Sequence, residues 1–195
     1  MYQKANKELL ILCLYLGDYS KKLYLREISK LSKLPLRTVQ RTLADLENSR
    51  ILKSEVRGKN KYLFLNLENI ETKQMILQAE TYKTLQFLEK YPAFKSFLKE
   101  IKGVSVPIIV FGSFAKFTAD NASDVDMLII SDKKIGLPSH LLPNEIHEMY
   151  LSKGNFIRAS EKNEALVKKI EESHVILNNH SFFVDFWWDF QTRRV

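Results

Sequence analysis

Apolar positions in the first third of the chain recur at helical spacing in three successive segments. Lys4–Leu16 is rich in apolar residues, and Leu25–Leu34 and Leu36–Asn48 repeat apolar residues every three or four positions. This spacing predicts three helices, each with one apolar face. Leu34 and Pro35 separate the last two, because a residue before proline is disfavoured in the helical region. Proline itself is well tolerated in a first helical turn.

A β-hairpin is predicted directly after the third helix. Residues 51–56 and 61–66 have strand-like composition and flank the turn Arg57-Gly58-Lys59-Asn60, and a short glycine-containing turn between two such segments is typical of a hairpin. Two helices joined by a tight turn, with a polar outer face on the second, are the helix-turn-helix arrangement. The hairpin would then be its wing.

Further helices and an aromatic segment are predicted in the rest of the chain. Residues 70–102 read as one or two linking helices whose broad apolar face is buried either between domains or in a dimer. Residues 163–173 are predicted to form a helix, and residues 174–179 are predicted to be extended. Residues 182–190 hold six aromatics in nine positions, which predicts heavy burial, with a base-stacking platform as the alternative.

Candidate chemistry lies between Val110 and Ile130. An apolar strand runs into Gly112-Ser113, and after ten residues a second apolar strand opens with Asp124 and Asp126. Strand side chains alternate faces, so the two aspartates project from one side, where a divalent cation such as Mg²⁺ would relieve their repulsion. A glycine-serine bend offers N–H groups and a hydroxyl to a phosphate. The pattern predicts a site for a nucleotide phosphate and a metal ion.

This spacing resembles the nucleotidyltransferase superfamily that includes DNA polymerase β, and in particular its small members. The resemblance covers about residues 104–180. It implies that Asp124 and Asp126 hold Mg²⁺ as catalytic residues, while Gly112 and Ser113 bind a nucleoside triphosphate, with ATP expected. An acceptor hydroxyl would attack the α-phosphate and pyrophosphate would leave.

Two departures from the family pattern concern the loop and the third carboxylate. Lys116 matches a basic position of the family and is expected to bind nucleotide, but Phe117 stands where the family often has glycine. The predicted strand 144–151 supplies Glu145 as the expected third catalytic and metal-binding acid, one methylene longer than aspartate. Glu148 would lie on the opposite strand face, so the two cannot both serve.

Two more polar side chains enter the candidate site less directly. Asp185 is an alternative third carboxylate, although a satisfied polar group in the packed aromatic segment is the simpler interpretation. His147 shares a strand face with Glu145 and could touch a bound nucleotide, although a structural role is the simpler interpretation for it as well.

Composition and charge indicate where the protein is located and that it has a second, anionic partner. The chain has 195 residues with 45% hydrophobic content and one cysteine, Cys13. The absence of any apolar run of membrane-spanning length argues against a membrane protein, and we expect a cytoplasmic location. The net charge of +7 is concentrated in residues 1–66, which hold 14 basic and six acidic residues. This asymmetry indicates an anionic partner for that segment.

The segment Tyr24–Leu65 resembles winged helix-turn-helix repressors of the kinds named for arsenic and multiple-antibiotic resistance. The resemblance implies that double-stranded DNA is the anionic partner, although a winged helix used only for protein contact remains the alternative. It implies that four residues of the third helix face the major groove: Arg37, Thr38, Gln40 and Arg41. Three residues of the hairpin would contact the phosphates or the minor groove: Arg57, Lys59 and Lys61.

These parts together predict an α+β protein in three sections. They are a winged helix-turn-helix at 1–68, linking or dimerisation helices at 69–103, and a nucleotidyltransferase-like mixed sheet with flanking helices at 104–195. The expected function is Mg²⁺-dependent transfer of a nucleoside monophosphate by a DNA-binding homodimer. Small members resemble antitoxins that modify a HEPN-type toxin, so a protein acceptor is included. The alternative is a transcription regulator whose second domain only senses nucleotide.

Overall fold

The chain divides into two compact units. The structure is a computed structural model, and it describes residues 6–193. One unit takes in the chain up to Glu80 and again from Val184, and the other is Thr81–Phe183. The boundaries therefore fall inside two helices, α4 (Ile70–Lys90) and α9 (His180–Thr192). The first residues of the predicted helix Lys4–Leu16 lie outside the described part of the chain.

The first unit combines helices with a small antiparallel sheet. In chain order its elements before α4 are α1 (Lys7–Leu12), β1 (Leu23–Tyr24), α2 (Leu25–Ser32), α3 (Leu36–Asn48), β2 (Leu52–Arg57) and β3 (Asn60–Leu65). The strand order is β1-β3-β2, with both pairings antiparallel. The apolar faces of the helices meet the sheet in a buried core that includes Ile11, Ile28, Val39, Leu46 and Leu63.

Local chemistry explains where these helices begin and end. The side chain of Asn6 accepts hydrogen bonds from the N–H groups of Glu8 and Leu9, which caps α1. Helix α2 ends at Lys33, which adopts the left-handed conformation with φ of 56°. Pro35 then precedes α3, whose bounds agree with the prediction. Helix α1 is shorter than predicted, because the backbone tightens into a 3-10 turn at Cys13–Tyr15.

The second unit is built on a four-stranded mixed sheet. Besides the end of α4 and the start of α9, its elements are α5 (Ala93–Glu100), β4 (Ile108–Phe111), α6 (Gly112–Ala115), β5 (Val125–Ile130), β6 (Ile146–Leu151), α7 (Lys153–Glu161), α8 (Ala165–Glu172) and β7 (His174–Asn178). The strand order is β6-β5-β4-β7. The β5–β6 pairing is parallel, and β4 pairs antiparallel with both β5 and β7.

Two elements of the second unit differ from the prediction. Strand β6 begins at Ile146, two residues later than predicted, which leaves Glu145 directly before the strand. Helix α7 was not predicted, because Gly154 and the polar residues around it obscure its apolar face. The side chain of Ser152 accepts from the Asn155 N–H and so starts this helix.

The aromatic segment 182–190 forms most of α9, and the predicted heavy burial is confirmed. Trp187 is fully buried, and its indole N–H donates to the carbonyl oxygen of Gly17 at 3.2 Å. The Trp188 ring lies 6.0 Å from that of Tyr19. In the second unit, Phe183 is buried against the ring of His174. The burial of these rings explains why the chain concentrates aromatics here.

None of the helices in residues 6–193 combines the length and the apolar character that crossing a membrane requires.

Burial of Trp187 makes it a test of the first unit's core. Trp187→Ala is expected to lower the free energy of unfolding by about 3–5 kcal/mol, because it leaves a large cavity and removes the bond to Gly17. Urea unfolding followed by circular dichroism measures this loss. Asp189→Ala, on the exposed side of the same helix, is the matched control and should change stability by less than about 0.5 kcal/mol. Equal effects of the two substitutions would contradict the packing described.

Candidate functional site

The parallel pairing of β5 with β6 brings the candidate acids to one edge of the sheet. Val125 pairs with Ile146 and Asp126 with His147, and the Val125 N–H donates to the carbonyl oxygen of Glu145 at 2.8 Å. Asp124 and Glu145 therefore lie side by side, each just before its strand. Because side chains alternate along a strand, Asp124 and Asp126 share a face with Glu145 and His147.

Asp124, Glu145 and His147 form one exposed cluster of donor atoms. One ligand atom from each lies within 4.8 Å of the others, and Asp124 Oδ2 is 3.8 Å from His147 Nε2. Two carboxylates and an imidazole are suitable ligands for a divalent cation. The donor set of the cluster therefore fits a metal ion. Among the described residues, Asp126 is not part of this group.

The loop before Asp124 is fastened to the residue before Glu145. The Asn144 amide donates to the carbonyl oxygens of Asp120 at 3.3 Å, Asn121 at 3.4 Å and Ser123 at 2.8 Å. Asp120 Oδ1 in turn accepts from the Ser123 hydroxyl at 2.8 Å. This hydrogen bond, with a second from the Ala122 N–H, lowers the pKa of the Asp120 carboxyl below its usual range. Asn144 thus holds the starts of β5 and β6 together.

Gly112 is held in a position that only glycine fills without strain. Its φ is +71°, and an added Cβ would lie 2.4 Å from Asp126 Oδ2. The missing side chain therefore leaves the space that the Asp126 carboxylate occupies. This contact directs Asp126 towards the Gly112-Ser113 bend rather than into the cluster of Asp124, Glu145 and His147.

The loop after the bend differs from the expected nucleotide-binding geometry in two respects. Lys116 Nζ lies 2.9 Å from Glu172 Oε2, and this contact lowers the pKa of the Glu172 carboxyl. Phe117, at the position where the family often has glycine, has a φ of +59° and so adopts the conformation that glycine favours. Its ring stacks on that of Tyr91 with centroids 6.5 Å apart, and its carbonyl oxygen accepts from the Lys90 amino group.

Of the three candidates for the third carboxylate, Glu145 alone joins Asp124 in the cluster within residues 6–193. Glu148 accepts from the Tyr150 hydroxyl at 2.9 Å on the other face of β6. Asp185 belongs to the first unit, where it pairs with Lys73 at 2.8 Å. His147 was predicted to share a strand face with Glu145, but it was not predicted to be a metal ligand.

The residues predicted to bind DNA lie on α3 and on the β2–β3 hairpin. On α3, Thr38 is half-buried, and the exposed residues are Arg37, Gln40 and Arg41. Three of these four line an open groove of about 770 Å³ beside the start of α1, namely Arg37, Thr38 and Arg41.

The hairpin residues are exposed, and two of them make ion pairs. Arg57 Nε lies 2.7 Å from Glu55 Oε1, and Lys61 Nζ lies 2.7 Å from Glu47 Oε1. Lys59 is exposed at the tip of the hairpin. Exposed pairs of this kind add little stability, so both cations can exchange partners.

Comparison with known proteins bears on the second unit. Residues 92–186 match the family model described as a nucleotidyltransferase domain. This match supports the nucleotidyltransferase domain predicted from the Gly-Ser and Asp-Val-Asp spacing, and with it a transferase of nucleoside monophosphates. Searches of the curated proteins and of the solved structures found no match.

The close approach of Gly112 to Asp126 predicts the effect of adding a methyl group. Gly112→Ala is expected to destabilise the second unit by about 1–2 kcal/mol, because the left-handed conformation is strained for alanine, and to displace the Asp126 carboxylate. Thermal unfolding measures the loss, and part of it should disappear in an Asp126→Ala background.

The control for this substitution is Gly103→Ala, where an added Cβ would meet nothing within 4 Å. It should be neutral or stabilising by up to about 1 kcal/mol. Equal destabilisation at the two glycines would contradict the geometry at Gly112.

Proposed function

We propose that this protein is a Mg²⁺-dependent nucleotidyltransferase that moves a nucleoside monophosphate from a triphosphate, with ATP expected, to an acceptor hydroxyl. One observation carries the proposal. The donor atoms of Asp124, Glu145 and His147 lie within 4.8 Å of one another, in the segment that matches the nucleotidyltransferase family. Such a cluster at the edge of a sheet, beside a glycine-serine bend, suits a metal-bound polyphosphate.

In the proposed reaction, the acceptor oxygen attacks the α-phosphorus of the triphosphate. The bond from that phosphorus to the bridging oxygen of the β-phosphate breaks, pyrophosphate leaves, and the hydroxyl proton passes to a carboxylate or to solvent. Bound Mg²⁺ would supply charge neutralisation for the phosphate oxygens during this step. In the proposal, the residues that hold the metal are Asp124, Asp126 and Glu145.

The proposal assigns the triphosphate to Gly112, Ser113 and Lys116. The bend supplies backbone N–H groups and the Ser113 hydroxyl, and Lys116 supplies a positive charge. For this role Lys116 must exchange its ion pair with Glu172 for the phosphate. That exchange costs little free energy, because both side chains of the ion pair are at least half exposed, at 50% and 61%.

We further propose that the first unit is a winged helix-turn-helix that binds double-stranded DNA. Support comes from the order α2-turn-α3-hairpin, the exposed basic face of α3, and the concentration of positive charge before residue 67. The proposed contacts to base edges come from α3, through Arg37, Thr38, Gln40 and Arg41. The proposed contacts to phosphates come from the hairpin, through Arg57, Lys59 and Lys61. A homodimer would match a two-fold operator.

The proposed acceptor is a hydroxyl group of a partner protein. The small nucleotidyltransferases that this chain resembles include antitoxins that modify a HEPN-type ribonuclease. A protein hydroxyl on such a partner is therefore the acceptor that we propose.

A second candidate function is that of a regulator that binds nucleotide without turnover. Asp126 lies outside the cluster of Asp124, Glu145 and His147, and Phe117 replaces a loop glycine of the family. Both departures would leave nucleotide binding intact while weakening catalysis, since transfer requires closer positioning than binding does.

Release of pyrophosphate tests the transferase. With labelled ATP, Mg²⁺ and candidate acceptors, the wild-type chain is expected to release pyrophosphate. Asp124→Asn and Asp126→Asn should each lower the rate by about 100-fold or more, because each removes a proposed metal ligand. Glu148→Gln, on the opposite face of the same edge strand, is the matched control and should retain the rate.

The same assay separates the two candidate functions. Saturable ATP binding by the wild-type chain with no pyrophosphate released would favour the sensor over the transferase. Equal rates in the wild type and both aspartate variants would contradict the metal assignment.

Salt-dependent DNA affinity tests the first unit. Arg37→Ala or Arg41→Ala is expected to cost about 1–3 kcal/mol in binding to a selected duplex, as for a lost base contact. Wild-type affinity should fall steeply as salt rises. Lys99→Ala, an exposed change in α5 of the second unit, is the control. A DNA affinity that does not change with salt concentration, or that neither arginine substitution lowers, would contradict the assignment of DNA binding to the first unit.

A further inference from the structure

We infer that His147 is itself a ligand of the divalent cation, and that the site therefore prefers Mn²⁺ and related transition-metal ions to Mg²⁺. The inference rests on the proposed function and changes the preferred cation of the same site from Mg²⁺ to Mn²⁺. It starts from the cluster in which Asp124 and Glu145 lie with His147, with ligand atoms no more than 4.8 Å apart.

The distances suit a shared ion after small side-chain movements. Two ligands on opposite sides of one ion, each about 2.1 Å from it, are about 4.2 Å apart. His147 Nε2 is already 3.8 Å from Asp124 Oδ2. That distance is too long for a hydrogen bond but suits two ligands of a common ion. About half of each side chain is exposed, 53% for His147 and 49% for Asp124, so both can turn without disturbing the core.

The strand register explains why a histidine has this position. His147 is the parallel-strand partner of Asp126, and Glu145 is one step earlier, level with Asp124. Because Asp126 is directed towards Gly112, the space facing Asp124 is bordered by one carboxylate and one imidazole from β6. The ring is exposed, so core packing does not account for its presence.

The ligand chemistry predicts the choice of cation. Mg²⁺ prefers carboxylate, carbonyl and water oxygens in near-ideal octahedral geometry. Imidazole nitrogen is a ligand of transition-metal ions, and Mn²⁺ also accepts carboxylate oxygens. The addition of an imidazole to the carboxylate ligands therefore raises the affinity for Mn²⁺ relative to Mg²⁺.

Metal titration of the full chain without nucleotide tests the inference. Free Mn²⁺ is followed by its electron paramagnetic resonance signal, and Mg²⁺ affinity is obtained by competition at the same pH. The wild type is expected to bind Mn²⁺ at least about tenfold more tightly than Mg²⁺. His147→Ala should lower Mn²⁺ affinity about tenfold and Mg²⁺ affinity by less than about threefold.

A spectroscopic measurement separates coordination from a structural role. Electron spin-echo modulation of bound Mn²⁺ should show coupling to nitrogen in the wild type and lose it in both His147→Ala and His147→Asp. His147→Asp replaces the imidazole with a further carboxylate and should reduce the difference between Mn²⁺ and Mg²⁺ affinity. Unfolding midpoints of both variants check that the second unit remains folded.

The results also separate this inference from the proposed transferase activity. Nitrogen coupling without pyrophosphate release would support His147 as a metal ligand and contradict the transferase activity. Pyrophosphate release that depends on Asp124, with bound Mn²⁺ lacking nitrogen coupling, would overturn the His147 ligand alone. An unchanged ratio of Mn²⁺ to Mg²⁺ affinity in His147→Ala would also overturn it.

Discussion

The parallel pairing of β5 with β6 is the constraint on which the candidate site depends. A shift of one residue in this register would turn Glu145 and His147 to the opposite face, where Glu148 meets Tyr150 instead. The observed register is fixed by the Val125 N–H bond to the Glu145 carbonyl and by the three bonds of the Asn144 amide. The polar residues that hold the strand starts together thus also bring the two acids side by side.

A second constraint is the close contact of Gly112 with Asp126. The two aspartates of the Asp-Val-Asp sequence share a strand face, yet they have different neighbours. Asp124 faces Glu145 and His147, whereas Asp126 occupies the space left by the missing Cβ of Gly112. In this arrangement Asp126 lies between the proposed phosphate-binding bend and the proposed metal site. It can then contact an ion bound to a phosphate that rests on the bend.

Sequence patterns predicted most of the elements, because their signals are local. Helix α3 has an apolar repeat and a preceding proline, and β4 and β5 are short apolar runs ended by polar residues. Helix α7 and the pairing partner of β5 were not predictable in the same way. Gly154 weakens the helical signal, and strand pairing is decided by contacts between residues about 20 positions apart. For the same reason, Glu145 could be predicted from the sequence as the third acid, whereas the proximity of His147 to Asp124 could not.

We propose that the edge formed by the starts of β5 and β6 binds a divalent cation used in nucleotidyl transfer. The most direct measurement is anomalous diffraction from a crystal grown with Mn²⁺ and a non-hydrolysable ATP analogue. An anomalous peak is expected about 2.2 Å from carboxylate oxygens of both Asp124 and Glu145, with the triphosphate at Gly112-Ser113. A nucleotide bound elsewhere, or a peak that neither carboxylate contacts, would contradict it.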